Sequence, residues 1–222
     1  MRQACQHAFF HAVVKPFVWT FTGTEVDGGQ RLQSDGPQII VSNHNSHLDT
    51  AMLLLLAGGR RGSVRPVAAA EYFCRGRVMP FLTTRLFNIL PIDRGGLRDG
   101  RHSFECMSEA LARGESLIIY PEGTRGEPES LRPFQKGVGH IIAANRSVPV
   151  VPVGISGLGR VMPKGRWLPV PHQVRVCVGE PRRYDGNPKE ITDDLERVIS
   201  GLRDRADRAA QAASRRRTAS TL

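Results

Sequence analysis

At 222 residues, 40% of them hydrophobic and 23% charged, the chain has the make-up of one folded domain able to bury a substantial core, not of a low-complexity or heptad-repeat protein. Its formal net charge of +10 calls for an anionic partner, whether nucleic acid, an acidic membrane leaflet or a phosphorylated small molecule. Cys5, Cys74, Cys106 and Cys177 show no CxxC spacing, so reduced thiols are expected in place of a zinc site or a disulfide framework. No run approaches the roughly 18 apolar residues of a membrane span and no cleavable leader is evident, so a cytoplasmic, unspanned protein is expected.

In chain order, residues 4–21 carry Phe9, Phe10, Val13, Val14, Phe17, Val18, Trp19 and Phe21, interrupted by Lys15 and Pro16. They read as a short apolar helix with a kink. Such a helix either packs on the domain or dips its aromatic side into a lipid interface. Beyond it, strands are expected at 38–42, 64–69, 116–120, 148–155 and 174–178. Helical spacing occupies 48–57, 100–113, 138–145 and 188–208. This alternation predicts an α/β fold, a single domain with a mostly parallel mixed sheet flanked by helices, and ligands gathered beyond the strand ends. The expected organisation is an N-terminal helix over 1–23, the main domain over 24–213 and a flexible basic tail over 214–222. The tail holds Arg215, Arg216 and Arg217 and reads as a solvated segment, with contact to anionic lipid as its functional alternative.

Polar, titratable residues stand where the first buried strand hands over to a helix: Asn43-His44-Asn45-Ser46-His47-Leu48-Asp49. Such a cluster suits a metal site, a base with its orienting acid, or a helix N-cap. A cap accounts for Asp49 and not for His44. No further His or Cys cluster completes a metal site, so no metal and no organic cofactor is expected. A neutral His44 with one ring nitrogen held by Asp49 offers the other as a base toward a substrate hydroxyl. There is no Gly-x-Ser-x-Gly elbow, since Gly154-Ile155-Ser156-Gly157-Leu158 fails at its last position. Ser46 is the remaining candidate nucleophile, and direct attack by the substrate hydroxyl is the preferred reading.

A second signal, Tyr120-Pro121-Glu122-Gly123-Thr124-Arg125-Gly126, follows an apolar strand. Gly123 and Gly126 permit close backbone approach to a ligand, Arg125 can grip a phosphate with two parallel hydrogen bonds, and Glu122 can fix the loop by accepting from backbone or basic groups. Phe134-Gln135-Lys136-Gly137 precedes a helix, so Lys136 and the helix N-terminus add positive potential. Ile92-Asp93-Arg94 ends another short apolar stretch and places Arg94 at a loop where a sheet would expose it.

In this order the segments resemble the PlsC-type glycerolipid acyltransferases, over roughly residues 35–180. The first motif is matched by Asn43, His44 and Asp49, the second by Ile92-Asp93-Arg94, the third by Tyr120 to Gly126 with Phe134 to Gly137. The fourth is matched by Val148-Pro149-Val150-Val151-Pro152-Val153. The resemblance implies an O-acyltransferase that moves a fatty acyl group from acyl-CoA or an acyl-carrier protein to lysophosphatidate, giving phosphatidate in phospholipid synthesis. It makes His44 the base and Asp49 its orienting group, with Arg94, Glu122, Gly123, Thr124, Arg125 and, more weakly, Lys136 around the acceptor phosphate. The partners it implies are a lysophospholipid acceptor, an acyl thioester donor and the anionic cytoplasmic face of a membrane, with peripheral attachment and no nucleic acid. Competing classes are an acyltransferase for another lysolipid or for glycerol 3-phosphate, and a noncatalytic lipid-binding module. Pro91 stands where relatives usually carry a bulky apolar residue, a departure expected to alter the acceptor pocket.

Overall fold

A computed structural model of the chain describes residues 8–58, 63–70, 87–92, 99–124, 130–161 and 170–219. They form a seven-stranded sheet in the order β1 (Glu25–Asp27), β7 (Arg175–Val178), β6 (Val150–Ser156), β2 (Ile39–Ser42), β5 (Ser116–Ile119), β3 (Val64–Ala69), β4 (Leu90–Ile92). Every neighbouring pair is parallel except β6 and β7. The helices are α1 (Lys15–Phe21), α2 (His47–Leu56), α3 (Asp99–Ala112), α4 (Gly137–Ala144), α5 (Leu158–Val161) and α6 (Pro188–Ala219).

The central strands β2, β5 and β6 are buried at every position, as continuous apolar runs must be when helices cover both faces of a parallel sheet. Successive side chains point to opposite faces. Ile40, Ile118 and Val151 therefore pack with Met52 and Leu53 of α2 and with Phe10, Val14 and Val18 from the N-terminal segment. Ile39, Val41, Leu117 and Ile119 pack with α3, α4 and the Ile191, Leu195, Ile199 stripe of α6. At about 1.5–3 kcal/mol for each fully buried aliphatic side chain, these two layers are the main favourable term in folding.

Apart from the far end of α6, the strands and helices expected from periodicity are present, with boundaries moved by one or two residues. The edge strands β1 and β4 escaped that reading because each has three residues, too few to show alternation. Pro91 lies exposed in β4, an edge strand where a missing N–H removes no ladder bond. Ile92, and not Pro91, lines the cleft described below, so the expected effect of Pro91 on the acceptor pocket has no direct contact behind it.

At the N-terminus the expected kink is a π-helical turn over Phe10–Val14, closed by the Lys15 N–H to the Phe10 carbonyl. Pro16 follows at the start of α1, inside a continuous helical run, and without an N–H it makes no bond back to the preceding turn, where the π-helical widening falls. One stripe of this segment packs into the core, while Val13 and Trp19 remain 53% and 56% exposed. Among the described residues no helix is long and apolar enough to cross a membrane.

The C-terminal end corrects one expectation. Helix α6 does not stop near Arg208, and the segment from 214 expected as a flexible tail continues it to Ala219. Its start is well capped: Asn187 Oδ1 accepts the Lys189 and Glu190 N–H groups, and Glu190 accepts the Asn187 N–H. Past Arg208 the alanines and arginines are strong helix formers, so propensity carries the helix on where no apolar stripe marks it.

Helices α4 and α6 meet at Gly139, where a Cβ would stand 1.9 Å from the Pro188 carbonyl oxygen and 2.5 Å from Thr192 Oγ1. Gly139→Ala is therefore expected to lower stability by about 1–3 kcal/mol or more, through overpacking against backbone that cannot step aside. Urea unfolding measures this, and a midpoint equal to that of the wild type would contradict the packing.

Candidate active site

The register of the sheet explains why two distant sequence segments meet. In the parallel β2–β5 pair, Val41 stands opposite Ile119, so the residues three further on, His44 and Glu122, emerge side by side at the carboxyl ends of the strands. The His44 N–H donates to Glu122 Oε1 at 2.7 Å. On the other flank of β2, Asn43 prolongs the ladder toward β6 with its side chain. Asn43 Nδ2 donates to the Ile155 carbonyl at 2.9 Å, and Asn43 Oδ1 accepts the Ile155 N–H at 2.8 Å. The loop bearing His44 is thus held from both neighbouring strands.

Asp49 combines two of the readings left open by the sequence. Its Oδ2 accepts His44 Nδ1–H at 3.0 Å and the backbone N–H groups of Asn45 and Ser46 at 2.7 Å each. The bond from Ser46 completes a capping box with the Ser46 hydroxyl, which accepts the Leu48 N–H at 3.3 Å. Asp49 therefore caps α2 and orients His44 at once, with 1% of its side chain exposed against 17% for His44. Ser46 is buried with its hydroxyl committed to the cap, so it is not presented as a nucleophile. A proton on Nδ1, facing the carboxylate, puts the basic lone pair on Nε2.

Tyr120 fixes the imidazole plane. The two rings stack with centroids 4.0 Å apart and an interplanar angle of 17°. The Tyr120 hydroxyl pairs with Thr50 Oγ1 at 2.9 Å. Burial, and next the Asp49 carboxylate, push the Tyr120 phenol well above its ordinary range, so it stays protonated beside the base.

Glu122 fixes its loop by accepting from backbone, as its residue type and place in the sequence suggest. Its carboxylate is buried and both oxygens are engaged, Oε1 by the His44 N–H and Oε2 by the Arg132 N–H at 2.9 Å. It braces two loops. Burial raises the Glu122 carboxyl above its ordinary range, opposed by the hydrogen bonds from Arg132 and His44. With the folded value above the unfolded one, the folded state binds more protons between the two, so this group's contribution falls as pH rises from about 4 through that window. The stability gap between wild type and Glu122→Gln is expected to shrink as pH rises through it. A gap independent of pH in urea unfolding would contradict the assignment.

A cleft of about 660 Å³ is lined by Tyr120 and Glu122, the two residues that touch His44 from β5 and its following loop, by Gly123 and Thr124, and by apolar walls that include Val67, Ile92, Phe104 and Met107. Gly123 turns the loop with φ +76°, a left-handed conformation that glycine adopts without strain. Lys136 lies exposed at the N-cap of α4. Its neighbour Gln135 donates its N–H to the Pro121 carbonyl at 2.8 Å, which docks that loop on the third motif. Arg94, Arg125 and the side chain of His47 lie outside the described residues. Arg132, which no motif or periodicity in the sequence marks, lines the cleft and donates from Nη1 to Thr124 Oγ1 at 2.9 Å.

The family model described as Acyltransferase matches residues 23–156. The chain belongs to the acyltransferase family. The matched span holds the His44–Asp49 pair and the Tyr120–Thr124 loop, and ends with β6, so the family resemblance read from the ordered motifs holds. A chloroplastic 1-acyl-sn-glycerol-3-phosphate acyltransferase of Brassica napus is 33% identical over 203 residues, covering 86% of this chain and 55% of that protein. The human 1-acyl-sn-glycerol-3-phosphate acyltransferase alpha is 32% identical over 136 residues, covering 60% of this chain and 45% of that one. The chain spans about half the length of these curated relatives. Among solved structures, the 1-acyl-sn-glycerophosphate acyltransferase PlsC of Thermotoga maritima superposes with a TM-score of 0.70 at 25% identity, over 91% of this chain and 80% of that one. The acyltransferase fold of this chain, a single α/β domain on a mostly parallel mixed sheet, agrees with the fold expected from its sequence.

Proposed function

We propose that the chain is a 1-acylglycerol-3-phosphate O-acyltransferase, moving a fatty acyl group from a thioester to the free hydroxyl of lysophosphatidate. The observation that carries this reading is the His44 Nδ1–Asp49 Oδ2 contact of 3.0 Å, with His44 held against Tyr120 and Glu122, two residues that line a cleft with apolar walls. His44 Nε2 takes the proton of the acceptor hydroxyl as its oxygen attacks the thioester carbonyl. The new C–O ester bond forms, the C–S bond breaks, and the thiolate leaves, stable enough near neutral pH to need little protonation. The imidazolium, stabilised by Asp49, then returns the proton to thiolate or solvent. Asp49 and Tyr120 hold the ring in one plane, so the base is placed before substrate arrives.

In this reading Arg94, Arg125, Thr124 and Lys136 surround the acceptor phosphate. Acyl-CoA and an acyl-carrier protein are both chemically suited as donors, since each presents the same thioester. The protein works on the anionic cytoplasmic face of a membrane in phospholipid synthesis. Attachment there is peripheral, supported by the exposed Trp19 and Val13, by Lys15 Nζ lying 5.7 Å from the Trp19 ring centroid, and by the net charge of +10.

Competition settles the acceptor and the donor. Purified protein is given lysophosphatidate, glycerol 3-phosphate and lysophosphatidylcholine together, with acyl-CoA or acyl-carrier protein, and the lipid products are resolved by mass. Phosphatidate as the dominant product is expected. Preferential acylation of either other acceptor would replace the substrate, and binding without any product would favour the noncatalytic module.

A further inference from the structure

We infer that Arg132 is a phosphate-binding residue of the acceptor site, gripping the phosphomonoester of the lysolipid at the polar end of the cleft; this rests on the acceptor reading above. Among the described residues lining the cleft, Arg132 is the one cation. The backbone N–H donates to Glu122 Oε2 and fixes where the side chain starts, and at the exposed rim of the cleft Nη1 donates to Thr124 Oγ1, each at 2.9 Å. Holding the side chain this way reduces the entropy lost when a ligand binds.

The bond from Nη1 leaves the Nε–Nη2 edge of the guanidinium without a partner among the described residues, and no carboxylate there pairs with it. That edge is a planar fork of two N–H donors, which matches two oxygens of a phosphate. Glu122 also sets the spacing. One oxygen anchors the Arg132 backbone and the other anchors the His44 backbone, so cation and base are tied through a single buried carboxylate. In lysophosphatidate the free hydroxyl and the phosphate sit on adjacent carbons, and an acceptor held by its phosphate at Arg132 brings that hydroxyl toward His44. The Gly137 and Val138 end of α4 lines the same cleft, where the helix dipole adds to the attraction.

The test is equilibrium binding of a short-chain lysophosphatidate, kept monomeric, to wild type, R132Q, R132K and T124V, with an uncharged monoacylglycerol as control. Thiol release from acyl-CoA is followed in parallel. R132Q is expected to weaken lysophosphatidate binding by about tenfold or more and to raise the acceptor KM more than it lowers kcat. R132K should recover part of the affinity, because it keeps the charge and loses the fork. T124V should weaken binding less than R132Q, and the control should be unaffected throughout. Binding by a correctly folded R132Q within about twofold of wild type would overturn the inference, as would equal losses for the uncharged control or no binding by wild type. If wild type binds and R132Q does not, yet no donor yields thiol, the Arg132 assignment stands and the reaction assigned above falls.

Discussion

Replacing His44 by alanine is expected to lower kcat for acyl transfer by about 10²- to 10⁴-fold, the contribution usual for a positioned general base. The protein should remain folded, because the contacts that fix this loop are made by backbone and by neighbours. The His44 N–H bonds Glu122, the Asn45 and Ser46 N–H groups bond Asp49, and Asn43 spans to Ile155. Alanine retains each of these bonds and removes the imidazole alone. Acceptor KM should change little, since proton transfer belongs to the transition state. Wild-type turnover by a folded His44→Ala protein would show that the imidazole is not the base.

Asp49→Asn tests the other half of the pair. The amide can keep its oxygen where Oδ2 now stands, facing the same three donors, and put its nitrogen where Oδ1 now lies without a hydrogen-bond partner. The cap and the loop survive, and the negative charge that stabilises the imidazolium is lost. A fall in kcat of about 10²- to 10⁴-fold is expected, by analogy with the loss seen when a triad carboxylate becomes an amide. Because Asp49 acts through His44, the double variant should fall little below His44→Ala alone. Losses that multiply would assign Asp49 to a separate task.

The site shows what a sequence can and cannot disclose. His44 and Asp49 were legible because they share one strand-to-helix junction, and the spacing that permits a helix cap also lets the carboxylate reach back to the ring. Glu122 was visible as a loop residue, but its role depended on register. Only the pairing of Val41 with Ile119 brings its carboxylate under the His44 backbone and commits both oxygens. Arg132 was illegible, because its place in the cleft follows from the path of a loop and from no periodicity. The stack of Tyr120 on His44 and the side-chain bridge from Asn43 to β6 are likewise products of strand order. In the fold, buried runs such as residues 39–42 announced themselves by composition. The three-residue edge strands and the extension of α6 turned on pairing partners and on helix propensity, which an apolar pattern does not register.

The measurement closest to the centre of this account is the stoichiometry of thiol release against phosphatidate formed, with acyl-CoA and with and without lysophosphatidate, beside the His44→Ala protein. The account predicts thiol release that depends on the acceptor, matches phosphatidate one for one, and is lost in the variant. Thiol released at the same rate without acceptor, or phosphatidate formed undiminished by His44→Ala, would contradict it.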